Sequence, residues 1–155
     1  MTLSLLKRIA LGLLLVVVAI QFYRPARTNP PVDPARLVTT TATVPAEVSA
    51  VLARSCYDCH SNETRWPWYS AVAPMSWRVI DHVDHGRSHM NFSEWGTYPV
   101  KKRVELLEKM CDEVREGEMP LKSYLLLHPG ARLIEADWKV ICDWSVEEAD
   151  RLAVR

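Results

Sequence analysis

The residues Cys56-Tyr57-Asp58-Cys59-His60 form a C-x-x-C-H string, and few folds have a use for it. Two thiols one helical turn apart match the two vinyl groups of a haem, to which they add as thioethers. The adjacent imidazole then sits under the iron as its proximal ligand, and the string is the attachment signature of c-type haem. With four Cys and five His in 155 residues, its chance occurrence is about 0.003. The competing uses of C-x-x-C ask for other surroundings. A thioredoxin-like redox pair stands between a strand and a helix, and no strand pattern flanks Cys56. A structural zinc site needs a second ligand pair, and Cys111 and Cys142 are far apart in the chain. The C-x-x-C-H is therefore read as the attachment site of one covalently bound haem c.

Residues 1–23 read as a separate object. Lys7 and Arg8 precede an apolar run over 9–20, followed by Gln21-Phe22-Tyr23. Charge followed by an apolar stretch is the layout of an export signal. No small-x-small cleavage site stands before Arg24, and Phe22 and Tyr23 have the character of membrane-interface aromatics. The expectation is an uncleaved signal anchor, a transmembrane segment completed by residues 3–6 with Lys7 and Arg8 snorkelling. A removed signal is the alternative. Lys7 and Arg8 would stay in the cytoplasm. That gives a single-pass protein of the cell membrane with its domain on the periplasmic, extracytoplasmic side. Residues 24–44 contain Pro25, Pro30, Pro31, Pro34 and Thr39-Thr40-Thr41. They show no apolar period and are predicted to form an extended linker holding the domain off the membrane. Residues 45–155 are expected to form a c-type haem-binding domain.

Within that domain, Pro45 suits a first helical position. Val48, Val51, Leu52 and Cys56 recur at helical spacing, so a first helix should end in the C-x-x-C-H, with Cys56 and Cys59 on one face. Residues 61–69 form a loop by their polar start and Pro67. Trp66, Trp68 and Tyr69 are either a cover for the haem or ordinary core aromatics. A second helix is predicted over about 74–85, with Met75, Val79, His82 and Val83 on one face and Gly86 as its stop. His82, His85 and His89 cluster there; such a set binds metal, supplies a distal ligand or simply makes hydrogen bonds.

Residues 91–99 are turn-like. Val100, Val104, Leu107, Cys111 and Val114 then give the clearest helical period, a helix over 99–116 that Gly117 ends. Met119 follows that stop and precedes Pro120, outside any helical stripe. Its thioether is a soft iron ligand, which makes Met119 the leading candidate for the position opposite His60, ahead of Met75 and Met90. A short helix over 121–128 comes next. A last helix starts near Leu133, with Glu135 and Asp137 in its first turn, where the dipole favours acids. Cys111 and Cys142 both fall on buried faces of long helices; a disulfide and two separate buried thiols are both open.

Composition narrows the partners. Nineteen basic and nineteen acidic residues balance, and no basic run makes a phosphate track, so nucleic acid is not an expected partner. Six Trp suit a wall around a large planar cofactor.

Five strings together, Cys56-Tyr57-Asp58-Cys59-His60-Ser61-Asn62, Trp66-Pro67-Trp68-Tyr69, Asn91-Phe92-Ser93-Glu94-Trp95, Gly117-Glu118-Met119-Pro120-Leu121-Lys122-Ser123-Tyr124 and the closing Asp143-Trp144, resemble the haem-binding-domain proteins related to cytochrome c. The resemblance covers about residues 45–145. The C-x-x-C-H, the Met-Pro and the helix order are also similar to class I cytochrome c. The chain departs from that class in a Trp-rich insert and a His cluster between the two ligand positions. The resemblance implies an all-α, cytochrome c-like helical domain around one haem. It also implies thioethers at Cys56 and Cys59, His60 as proximal ligand and Met119 as distal ligand.

The expected function is that of a membrane-tethered, exported monohaem electron carrier rather than an enzyme. Its partners are the membrane, through the N-terminal helix, and periplasmic or membrane redox proteins. Arg65, Arg78 and Arg87 are candidates to hold the haem propionates, although each one singly fits a solvated face better. A haem sensor or peroxidase-like enzyme is the alternative, with a displaceable distal ligand and a role for His82, His85 or His89. A haem-free zinc-binding module is the third reading.

Overall fold

The computed structural model describes residues 3–154, and among them every regular element is helical, as expected. The α-helices in chain order are α1 (Leu3–Ile20), α2 (Val38–Thr41), α3 (Ala46–Ser55), α4 (Tyr57–His60), α5 (Met75–His89), α6 (Val100–Arg115), α7 (Lys122–Leu125) and α8 (Glu135–Ala153). Short 3-10 turns occupy Pro34–Arg36, Trp68–Ala71, Trp95–Thr97 and Pro129–Ala131.

The core follows the sequence period. Leu106, Leu107, Met110 and Val114 of α6 meet Ile141, Trp144 and Leu152 of α8 and Val48, Val51 and Leu52 of α3. Phe92 and Trp95 fill the middle and are fully buried. Each side chain of this size contributes roughly 1.5–3 kcal/mol when it leaves water. Cys111 and Cys142 join α6 to α8 as a disulfide with Cα atoms 4.7 Å apart, which settles the choice left by the sequence. The helix ends also match their signals. Pro45 and Pro99 precede α3 and α6. The Asp137 carboxylate accepts the Ile134 N–H at 3.0 Å at the start of α8. Gly117 has φ +73°, and the turn it makes lets the N–H groups of Glu118 and Met119 donate back to the Glu113 carbonyl at 3.0 and 3.1 Å.

The N-terminal third differs from expectation. Among the described residues no helix is long and apolar enough to cross a membrane. The 18 residues of α1 reach roughly 27 Å at about 1.5 Å each, against a hydrocarbon core of about 30 Å, and Lys7 and Arg8 lie within them. The transmembrane segment expected over 1–23 therefore finds no support in α1; residues 1, 2 and 155 lie outside the described residues. The 24–44 stretch is laid along the domain. Val38 is buried in the core and its N–H donates to the Phe92 carbonyl at 2.9 Å. Asn62 Nδ2 donates to the Pro31 carbonyl at 3.2 Å. A lone valine between prolines has no period to read, and its partners lie far along the chain.

Candidate functional site

The C-x-x-C-H forms a turn of its own. α3 stops at Ser55, Cys56 breaks the helix at φ −123° and ψ −37°, and α4 restarts it. The Cys56 carbonyl accepts from His60 N–H at 3.0 Å and from Cys59 N–H at 3.2 Å. The expected continuous helix through Cys56 is thus replaced by a kink and one extra turn. Both Cys56 and Cys59 are free thiols. They line a cavity of about 580 Å³ together with His60 and Met119, so one space brings together all four residues singled out in the sequence. Cofactor-sized ligands occupy pockets of roughly 300–1,000 Å³.

α5 forms one wall through Met75, Val79, His82, Val83, His85 and His89, and α6 contributes Leu106 and Met110. Gly86 does not stop α5; it lies inside it. A Cβ there would stand 2.5 Å from the Cys59 carbonyl oxygen and 3.1 Å from its carbon. The glycine marks the place where α5 crosses directly on the C-x-x-C-H turn, a contact that its position near a predicted helix end disguises.

The His60 ring is held through one of its nitrogens. Its Nδ1 lies 3.0 Å from the Met90 carbonyl oxygen; with Nδ1 donating there, Nε2 keeps its lone pair. Burial lowers its pKa, against the opposing pull of the Met90 and Gly86 backbone carbonyls, which favours the neutral ring that binds metals. Burial, helped by mutual repulsion, pushes the Cys56 thiol up to about 12. Burial, then the Asp58 charge, pushes Cys59 up to about 11. These are not the low-pKa thiolates of a redox-active C-x-x-C pair.

A buried polar clamp holds the turn. Phe92 N–H donates to the His60 carbonyl at 2.8 Å. Asn62 N–H donates to Ser93 Oγ at 3.0 Å, Asn91 Nδ2 to Asn62 Oδ1 at 2.8 Å, and Ser93 N–H to Asn91 Oδ1 at 2.9 Å. Two of the strings noted in the sequence therefore hold one another. Arg87 donates to the carbonyls of Ser61 and Thr28 and to Asn29 Oδ1 and Thr64 Oγ1, all within 2.9 Å. Arg65 grips the Asp58 carboxylate at 3.1 and 3.3 Å. Both guanidiniums hold the protein itself, and of the three arginines nominated for propionates only Arg78 stands exposed on the cavity wall without such a grip.

The aromatic cover is smaller than expected. Tyr69 lines the cavity, whereas Trp66 and Trp68 do not. Trp68 is 79% exposed, and Trp66 Nε1 donates to Asn29 Oδ1 at 3.2 Å. Trp95 and Trp144 belong to the core. Sequence reasoning missed Tyr124 and His128, which also line the cavity. Tyr124 OH donates to Asp58 Oδ2 at 2.9 Å, and its ring stacks on His128 at 4.0 Å. Burial, then the Asp58 charge, raises the Tyr124 pKa and keeps it a donor. Its place at the end of the string after Gly117 was the one signal available.

These residues fit a haem. Two free thiols, a half-buried imidazole with one nitrogen engaged and a partly buried thioether face a largely apolar cavity. Among the described residues no group of three or more His, Cys, Asp or Glu is placed to hold a bare metal ion. The model of the haem-binding domain family matches residues 15–147. That match begins well before residue 45 and takes in the 24–44 stretch that packs on the domain. No curated protein matches the chain, and no solved structure matches it.

Proposed function

Because the chain belongs to the haem-binding domain family, we propose that it is a c-type monohaem electron carrier working outside the cytoplasm. The observation that supports this most is the single cavity shared by Cys56, Cys59, His60 and Met119. In this reading Cys56 and Cys59 hold the haem as thioethers, and His60 Nε2 and the Met119 sulfur cap the iron. The haem supplies one-electron redox chemistry when bound. The chain's own residues orient and shield it: the Met90 carbonyl fixes the His60 ring, the Asn62–Asn91–Ser93 clamp fixes the turn, and the apolar walls exclude water. A His/Met ligand pair raises the potential. We further propose that α1, with Leu and Val exposed around its whole circumference, seats the chain in a membrane surface, where it meets membrane or periplasmic redox partners.

A second reading rests on His82, His85 and His89, which line the same cavity. They allow a sensor or peroxidase-like site with a displaceable ligand opposite His60. Absorption spectra of the oxidised and reduced protein, before and after carbon monoxide, separate the two. The carrier predicts a sharp low-spin spectrum that carbon monoxide leaves unchanged. Met119→Ala should then lower the potential by on the order of 100 mV, inside the ~0.8 V range that axial ligands command, and admit carbon monoxide. A high-spin spectrum, or ready carbon monoxide binding by the unaltered protein, contradicts the carrier and favours the second reading.

A further inference from the structure

The end of α1 is bolted to the domain. The Gln21 side chain makes two hydrogen bonds with the backbone of Ala73: Nε2 donates to its carbonyl at 3.1 Å and Oε1 accepts its N–H at 3.0 Å. Trp77 Nε1 donates to the Tyr23 carbonyl at 2.9 Å, and the two rings meet edge to face at 5.7 Å. Ala73 is flanked closely by Val72 and Met75, both exposed, and Trp68 stands exposed on the preceding turn. Phe22, directly after Gln21, is 86% exposed. Large apolar side chains thus gather where the apolar helix meets the domain.

The surroundings identify what covers this patch. α1 exposes Leu and Val on every side, whereas a protein groove covers one face of a helix. Beyond Lys7 and Arg8, residues 9–20 of α1 carry no charge, and a helical stretch that is apolar all round is matched by lipid. Arg24, Arg27 and Arg78 are exposed around the patch, with Asp81 one turn on from Arg78. Trp, Tyr and Phe beside arginines suit the headgroup layer of an anionic bilayer. We propose that Phe22, Trp68, Val72 and Met75, flanked by Arg24 and Arg78, form a lipid-docking surface that rests the domain directly on an anionic bilayer. Met75 and Arg78 also line the cavity, so one edge of the cofactor site lies at the headgroup layer. Electron exchange then takes place at the membrane surface and needs no swinging tether. The inference rests on the reading that α1 enters lipid.

The test uses the full-length, haem-loaded chain on vesicles of phosphatidylcholine and phosphatidylglycerol. A charged, membrane-impermeant maleimide measures the accessibility of Val72→Cys, with Val146→Cys as reference; Val146 is exposed on α8. The docked domain predicts Val72→Cys modification slower than that of Val146→Cys by on the order of tenfold, as for a side chain buried in the interface. Adding Gln21→Ala should bring the two rates together while the chain still co-sediments with the vesicles. Equal rates in the vesicle-bound chain without Gln21→Ala overturn the docking surface and leave α1 in lipid. Failure to co-sediment overturns the lipid role of α1, and the docking surface with it.

Discussion

The two cysteine pairs of this chain stand in opposite settings. Cys111 and Cys142, 31 positions apart, join α6 to α8, with Cys142 packed against the apolar core. Cys56 and Cys59 share one short turn, remain thiols and face a cavity. Around the first pair the chain is closed by side chains with a helical period. Around the second it is held by backbone carbonyls and by buried Asn and Ser side chains. The same residue type thus closes the fold in one region and lines a cavity in the other. Oxidation inside Cys56–Cys59 would occupy the sulfurs that the proposed thioethers require, whereas oxidation across α6 and α8 takes nothing from the cavity.

Exchanging the pairs breaks the comparison most sharply. Cys56→Ala with Cys59→Ala should abolish covalent haem, read by haem staining of a denaturing gel, while Cys111→Ala with Cys142→Ala leaves it attached. Gly86→Ala attacks the cofactor side through packing alone. Its methyl group meets the Cys59 carbonyl at 2.5 Å, so it should destabilise the fold by about 1–3 kcal/mol and sharply reduce haem loading. Gly130→Ala, in open space, is the control. On the core side, losing the Cys111–Cys142 bond should cost about 3–4 kcal/mol for a loop of this length. Urea unfolding of the haem-loaded protein checks it, and an unchanged midpoint would show that apolar packing alone closes that region. The smallest effect belongs to Trp68→Ala. It should leave the absorption spectrum unchanged and stability within about 0.5 kcal/mol, because the ring is exposed and outside the cavity. A shifted spectrum would restore it to the haem cover.

The comparison also explains what was legible in the sequence. The α6 helix could be read from Val100, Val104, Leu107, Cys111 and Val114 because burial on one face imposes a period. Cys56, Cys59, His60 and Met119 could be singled out because C-x-x-C-H and Met-Pro are patterns of residue type and spacing, and the structure brings all four to one cavity. The contacts that assemble the site could not. Gly86 resembled a helix stop, since the requirement it meets comes from a carbonyl twenty-seven positions earlier. Arg87 resembled a ligand for an anion, yet its partners are carbonyls and polar side chains at 28, 29, 61 and 64. Val38 carried no pattern because one residue has no period. Local periodicity records burial within an element, and it does not record where two distant polar segments meet.

The central claim is that Cys56 and Cys59 carry a haem through bonds that survive unfolding. The direct measurement is the intact mass of the exported chain, matured in a host that attaches c-type haem and then unfolded and extracted with acidic acetone. The account predicts one species heavier by a single haem, with both thiols consumed and the Cys111–Cys142 disulfide retained. The bare polypeptide mass, with the colour in the acetone or none at all, would contradict it.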